Sequence, residues 1–154
     1  MTTLPVLDEH RITVSADAET TWHAVAAVAA GSAGRLATGY AWAVRCADWK
    51  AAGPRPLAVG STVPGFRVVA ADPPERLVLA GRHLFSDYRL AFRLEPDDGR
   101  TVVRAESRAV FPGLAGRGYR LLVIGSGGHV VGMRLLLRKI ARLAERGTGP
   151  SAGM

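Results

Sequence analysis

The chain has a single cysteine, Cys46, so neither an internal disulfide nor a cysteine-based metal cluster is open to it. Aromatic residues are scarce, at 6%. Lysine is nearly absent: Lys50 and Lys139 are the only two among 20 basic residues, and the arginines that replace it accompany no base-reading motif, so specific nucleic-acid binding is not expected. Long apolar runs are also missing. The longest uncharged stretch, Leu121 to Met133, is shorter than the ~20 residues that span a bilayer, and Gly125, Gly127, Gly128 and His129 interrupt it. The first residues, Met1 to Arg11, show no basic segment followed by an apolar one. A cytoplasmic protein is expected.

What is present is a core-forming composition. Hydrophobic residues make up 48% of 154 positions, enough for one packed domain, expected over 1–146, with a disordered tail over 147–154. The net charge of +7 is unevenly placed. After Pro112 the only acidic residue is Glu145, against Arg117, Arg120, Arg134, Arg138, Lys139, Arg142 and Arg146. Such a basic face is ordinarily a solvated one; it also suits weak docking to an acidic protein or an anionic membrane surface.

Alternation marks the strands. His10, Ile12 and Val14 share one face of a strand over His10–Ser15. Ser15-Ala-Asp17-Ala-Glu19 then supplies capping and acidic residues for a helix through Trp22, Val25 and Val28. A second short helix is expected to about Gly39, a strand over Trp42–Trp49, and a loop over Ala51–Leu57, where Gly53, Pro54 and Pro56 exclude a central strand.

Phe66 and Val68 begin a sharper pattern. Asp72-Pro-Pro-Glu75 turns the chain, Leu77, Leu79, Gly81 and His83 share a face, and so do Tyr88, Leu90, Phe92 and Leu94. Pro96-Asp-Asp-Gly99 is a hairpin turn, after which Val103, Ala105, Ser107, Ala109 and Phe111 point inward. From Leu114 to Arg146 a long helix is expected, with Tyr119, Leu122, Ser126, Val130, Met133, Leu137, Ile140 and Ala144 on its buried stripe. Gly125-Ser-Gly-Gly128 lies mid-way and predicts a kink or break, since glycine costs ~1 kcal/mol per helical position relative to alanine.

Ile12-Thr-Val-Ser-Ala-Asp-Ala-Glu-Thr-Thr-Trp22 resembles the first strand and helix of the START-related helix-grip (SRPBCC) superfamily, which includes polyketide cyclases and dehydrases and lipid-transfer domains. Val59-Gly-Ser-Thr-Val-Pro-Gly-Phe-Arg-Val68 with Pro74-Glu-Arg-Leu-Val-Leu79 is similar to its central hairpin, and the closing helix agrees in position. The resemblance implies an α+β fold, a curved antiparallel sheet wrapped round a long C-terminal helix with an internal cavity. It implies a small hydrophobic or aromatic ligand, no cofactor, and either a polyketide cyclase/dehydratase-like enzyme or a non-catalytic carrier or sensor.

Candidate residues follow from the inward faces. His83 is a proton-transfer candidate, the alternative being a core histidine bonded to backbone. His10 and His129 also point inward. Three histidines on three elements allow a metal in principle, but no His-x-His or His-x₃-His pair exists and no metal site is expected. Trp42, Phe66, Phe92, Ser107, Tyr119 and Ser126 complete the expected ligand-binding set; Tyr40 and Trp49 sit near the same loop. Arg82, Asp87, Arg89, Arg93, Arg104, Glu106 and Arg108 alternate onto the outer face, where cross-strand pairing explains them. Arg82 alone would turn inward were there a bulge before Phe85.

Overall fold

A computed structural model describes residues 4–31, 42–43, 45–48, 50, 52–54, 57–125 and 127–147. The chain runs β1 (Val6–Val14), α1 (Ala18–Gly31), β2 (Thr62–Val63), β3 (Phe66–Asp72), β4 (Arg76–His83), β5 (Ser86–Asp97), β6 (Arg100–Val110), α2 (Gly113–Arg120), a π-helical turn (Leu121–Gly125) and α3 (Gly128–Gly147). All strand pairs are antiparallel, in the order β1-β6-β5-β4-β3-β2. The first strand therefore closes one edge beside the last.

Local chemistry accounts for the joints. Asp17 caps α1: its Oδ1 accepts from the Thr20 backbone N–H at 2.7 Å. Asp98 (φ 54°) and Gly99 (φ 84°) both take left-handed backbone, the two-residue turn whose twist matches β5 and β6. β1 begins earlier than the expected His10, at Val6, and its register slips between Val6 and Asp8. Beyond that bulge Asp8 stands opposite Ser107, His10 opposite Ala105 and Ile12 opposite Val103. Asp8, His10 and Ile12 thus alternate onto the inner face, and the extra residue at Leu7 shifts only the pairing before Asp8.

The core lies between the sheet and two helices. Trp22, Val25 and Val28 of α1 and Met133, Leu137, Ile140 and Ala144 of α3 pack with Val14, Leu77, Phe92, Leu94, Val103 and Ala105. Each large aliphatic side chain buried there stabilises by roughly 1.5–3 kcal/mol. Two hydrogen bonds pin the corner after β1: Thr101 Oγ1 donates to Ala16 O at 2.8 Å, and Ser15 N–H donates to Glu145 Oε2 at 3.0 Å.

The long closing helix is interrupted, as its glycines predict. Gly127 has φ 77°, and α3 restarts with Val131 N–H bonded to Gly127 O at 3.1 Å. Leu122, expected on the buried stripe, is 71% exposed. A π turn closes i→i+5 bonds and so rotates residues off the 3.6-residue phase that α-helical spacing assumes.

Two further expectations are corrected. Trp42–Trp49 forms no strand among its described residues. Trp42 and Ala43 are helical, Arg45 is left-handed (φ 56°), and the segment is tethered by Ala47 N–H to Arg82 O (2.9 Å) and Gly65 N–H to Asp48 O (2.7 Å). Arg82 does not turn inward: it is exposed and paired with Asp87 at 2.8 Å. The other outer-face charges behave as alternation requires, with Arg104 between Glu9 (3.2 Å) and Glu95 (3.0 Å). The short helix to Gly39, Tyr40, Trp49, Ser126 and the tail 148–154 lie outside the described residues; Gly147 is the last residue of α3.

Candidate functional site

A cavity of about 450 Å³ lies between the inner face of the sheet and the broken closing helix. Its walls are mainly apolar, from Leu79, Leu90, Phe92, Ile124, Met133 and Leu136. Polar groups enter it in two places, an aromatic cluster from the β4–β5 turn and a carboxylate–histidine cluster at the β1 edge.

The aromatic cluster is built around His83. Leu84 and Phe85 form the tight connection between His83 and its pair Ser86, and the ring of His83 caps it, Nδ1 accepting from the Phe85 N–H at 3.0 Å. Tyr119 of α2 meets His83 edge-on at 5.0 Å and stacks on Phe85 at 5.3 Å. Tyr88 lies 5.3 Å from His83 and 5.1 Å from Phe66. α2 can sit this close because Gly116 lacks a side chain: a Cβ there would stand 2.6 Å from the Phe111 carbonyl carbon.

That hydrogen bond fixes what His83 can do. With Nδ1 engaged by a backbone donor, the neutral ring carries its proton on Nε2. Burial pushes its pKa down, and the nearby Asp87 carboxylate only partly offsets this. The ring of His83 therefore offers a donor at Nε2, and its Nδ1 is already engaged.

The second cluster joins β1 and α3. Asp8 Oδ2 is 3.0 Å from His10 Nε2 and Asp8 Oδ1 is 3.2 Å from His129 Nε2, so one carboxylate holds two imidazoles. His129, at the start of α3, lines the cavity. Ser107, directly opposite Asp8 across the β1–β6 pair, also lines it. Ser107 is 5% exposed, and its Oγ has no hydrogen-bond partner among the described residues. Burying an unpaired hydroxyl costs about 1–3 kcal/mol, so the arrangement is stable at the expense of an acceptor or donor that a guest can supply.

The expected site residues divide as follows. His83, Phe66, Phe92, Ser107, Tyr119 and His129 line the cavity. His10 does not line it, and neither does Asp8, which links His10 to the lining residue His129. Trp42 is 66% exposed and takes no part in the lining, which corrects its assignment: without a strand over Trp42–Trp49 nothing directs its side chain inward. Three histidines do not converge. His83 stands in the aromatic cluster, His10 and His129 take separate oxygens of Asp8, and no group of three or more metal-ligating side chains is arranged for an ion among the described residues. Cys46 lines the cavity, but burial pushes its thiol pKa up, the opposite of nucleophilic activation.

Sequence reasoning missed Asp8, Tyr88 and Leu7. Asp8 was within reach, since it stands two residues before His10 and alternation places both on one face. Starting the strand at His10 hid it.

No protein-family model matches the chain, and no curated protein matches it. Solved structures do. The chain is similar to the Polyketide_cyc-like protein Cgl2372 of Corynebacterium glutamicum, with 14% identity, TM-score 0.53, and 97% of this chain and 98% of that one covered. Helix-grip is its fold. The Aha1 dimer of Colwellia psychrerythraea is similar over 92% of this chain and 97% of its own, at 17% identity and TM-score 0.55. DynU16, from the dynemicin biosynthetic locus, matches at 17% identity and TM-score 0.53, covering 90% of this chain, which spans only 47% of DynU16. The helix-grip architecture accounts for the cavity, because a sheet curved round a helix leaves space wherever the lining side chains are too small to meet.

Proposed function

We propose that the protein binds a small, largely apolar molecule that carries at least one carbonyl or hydroxyl oxygen. The observation that carries this reading is Ser107, a buried hydroxyl unpaired among the described residues, in the wall of an apolar cavity of about 450 Å³. Apolar walls provide the affinity, and a few placed polar groups set orientation. His83 Nε2–H and Ser107 Oγ are the two that can contact an oxygen of the guest. The Polyketide_cyc-like name of one structural neighbour and the biosynthetic locus of another favour a polyketide-like guest.

Native mass spectrometry of the purified protein, with an environment-sensitive apolar dye as reporter, tests the reading. A co-purified small molecule, or saturable dye binding that Phe92→Trp abolishes by filling the cavity, supports it. Dye binding that ignores both Phe92→Trp and Ser107→Ala contradicts it.

A second observation favours exchange at an anionic membrane surface. Leu114, Leu121 and Leu122 are exposed on the segment that covers the cavity, with Arg117 and Arg120 between them. Apolar side chains flanked by arginines suit insertion among anionic headgroups. Sedimentation with phosphatidylglycerol vesicles, weakened by salt and by Leu121→Ser with Leu122→Ser, is expected. Equal sedimentation with neutral phosphatidylcholine would exclude the electrostatic part. No described helix is long and apolar enough to cross a membrane.

A further inference from the structure

We infer that Asp8 and His129 form a base dyad which removes a proton from a carbon acid bound in the cavity. This rests on the reading that the cavity takes a carbonyl-bearing guest, and goes beyond it by assigning a reaction.

The argument starts from the carboxylate. An ionised Asp8 only accepts hydrogen bonds, so the imidazole nitrogen 3.2 Å from its Oδ1, Nε2 of His129, carries the proton. The neutral ring of His129 then has its lone pair on Nδ1. That is the reverse of His83, where a backbone N–H occupies Nδ1 and leaves a donor at Nε2. The protein thus lines one cavity with two histidines of opposite tautomer, one a donor and one a base.

The dyad is also held rigidly. Asp8 is set on the inner face by its pairing opposite Ser107, in phase with His10. His10 takes its other oxygen at 3.0 Å, which keeps the carboxylate from rotating away from His129. His129 sits just past the left-handed Gly127 that sets the direction of α3. Ser107 lies across the strand pair from Asp8, with its hydroxyl unpaired among the described residues. The base and an oxygen-binding donor therefore lie at the same end of the cavity.

For a ketone or thioester the step balances without a co-reactant. His129 Nδ1 takes the α-proton, the C–H pair becomes the enolate C=C, and the carbonyl π pair moves to the oxygen, which receives the Ser107 O–H. In a chain with a second carbonyl the enolate carbon attacks it, forming a C–C bond. The new alkoxide takes the proton from the His129 imidazolium, which restores the base. Loss of the resulting hydroxyl as water, with one more proton shuttled by His129, gives an unsaturated ring. His129 is the catalytic residue; Asp8 and His10 are positioning residues.

The test uses 5-nitrobenzisoxazole, an apolar carbon acid needing only a positioned base. The base removes its C3 proton, the C–H pair becomes the nitrile π bond, and the N–O bond breaks to give the coloured 2-cyano-4-nitrophenolate. The full chain should accelerate the reaction saturably. His129→Gln should lower kcat at least tenfold with KM little changed, and an exposed control, His23→Gln, should match the wild type. Asp8→Asn should lower kcat, alter the pH–rate profile and mix the His129 tautomers seen by ¹⁵N NMR. A His129 protonated on Nδ1 in the wild type, read by the same NMR without any ligand, overturns the dyad, as does a rate unchanged in His129→Gln. Displacement of the apolar dye by the benzisoxazole is measured in parallel. Displacement without turnover rejects the dyad while leaving the binding reading intact; a cavity closed to both compounds rejects the binding reading and the proton transfer that rests on it.

Discussion

Tyr88 lies over Gly81, its partner across β4 and β5, and occupies the space where any side chain at Gly81 would stand. A Cβ there would be 2.3 Å from Tyr88 Cε2 and 2.1 Å from the Gly65 carbonyl oxygen. The bare position lets the Tyr88 hydroxyl donate to Gly65 O and clasp the β2–β3 turn to the cavity wall.

Gly81→Ala should therefore destabilise by about 1–3 kcal/mol, as overpacking does. Tyr88→Phe, which removes only the hydrogen bond, should cost nearer 1 kcal/mol. Urea denaturation separates the two. Equal stability of Gly81→Ala and wild type would contradict the close contact.

Ser107→Ala should leave the ligand-free protein unchanged or more stable, by up to about 1 kcal/mol, because it removes a buried hydroxyl left without a partner. The same variant should show a smaller rise in Tm when an oxygen-bearing guest is added. Paired thermal melts with and without ligand make the comparison.

Acid should weaken the protein through His83. Its pKa is held down in the folded state by burial, with Asp87 opposing. The unfolded chain therefore takes up the proton first, so stability is lost as pH falls through the ordinary imidazole value near 6.5 and the loss levels off below the depressed folded value. Chemical denaturation across that range should show less pH dependence in His83→Phe than in wild type. An identical slope would mean the ring is not shielded.

The closing helix offers a contrast between two aliphatic residues of its expected stripe. Ile140 is fully buried and Leu122 is 71% exposed. Ile140→Ala should cost about 2–5 kcal/mol, while Leu122→Ala should stay within about 0.5 kcal/mol. Similar losses in both would restore the uninterrupted helix.

Much of the sheet was legible because alternation and turn chemistry act locally. Pro96-Asp-Asp-Gly99 needs two left-handed residues, which Asp98 and Gly99 supply, and Val103, Ala105 and Ser107 alternate inward as their spacing says. The failures differ in cause. Asp8 was hidden by a boundary, because the strand was begun at His10 although Asp8 shares its face, whereas Leu122 was misplaced by the π turn that carries it to the outer face. A π turn has no composition signal strong enough to outweigh a regular period. The donor character of His83 was also invisible, since it depends on a backbone N–H two residues away in a turn that only the β4–β5 pairing defines.

The break at Gly127 has a kinetic consequence. An unbroken helix would transmit strain along its hydrogen-bond ladder, so lifting one end would fray the other. Here α3 is anchored by Met133, Leu137 and Ile140, whereas the chain before the break rests on ring contacts of Tyr119 and the seat at Gly116. The two halves can open on separate clocks. Amide exchange in α2 should be fast and sensitive to cavity occupancy, while α3 exchanges only with global unfolding. Exchange of that kind would make the fold a stable vessel with an independently hinged cover.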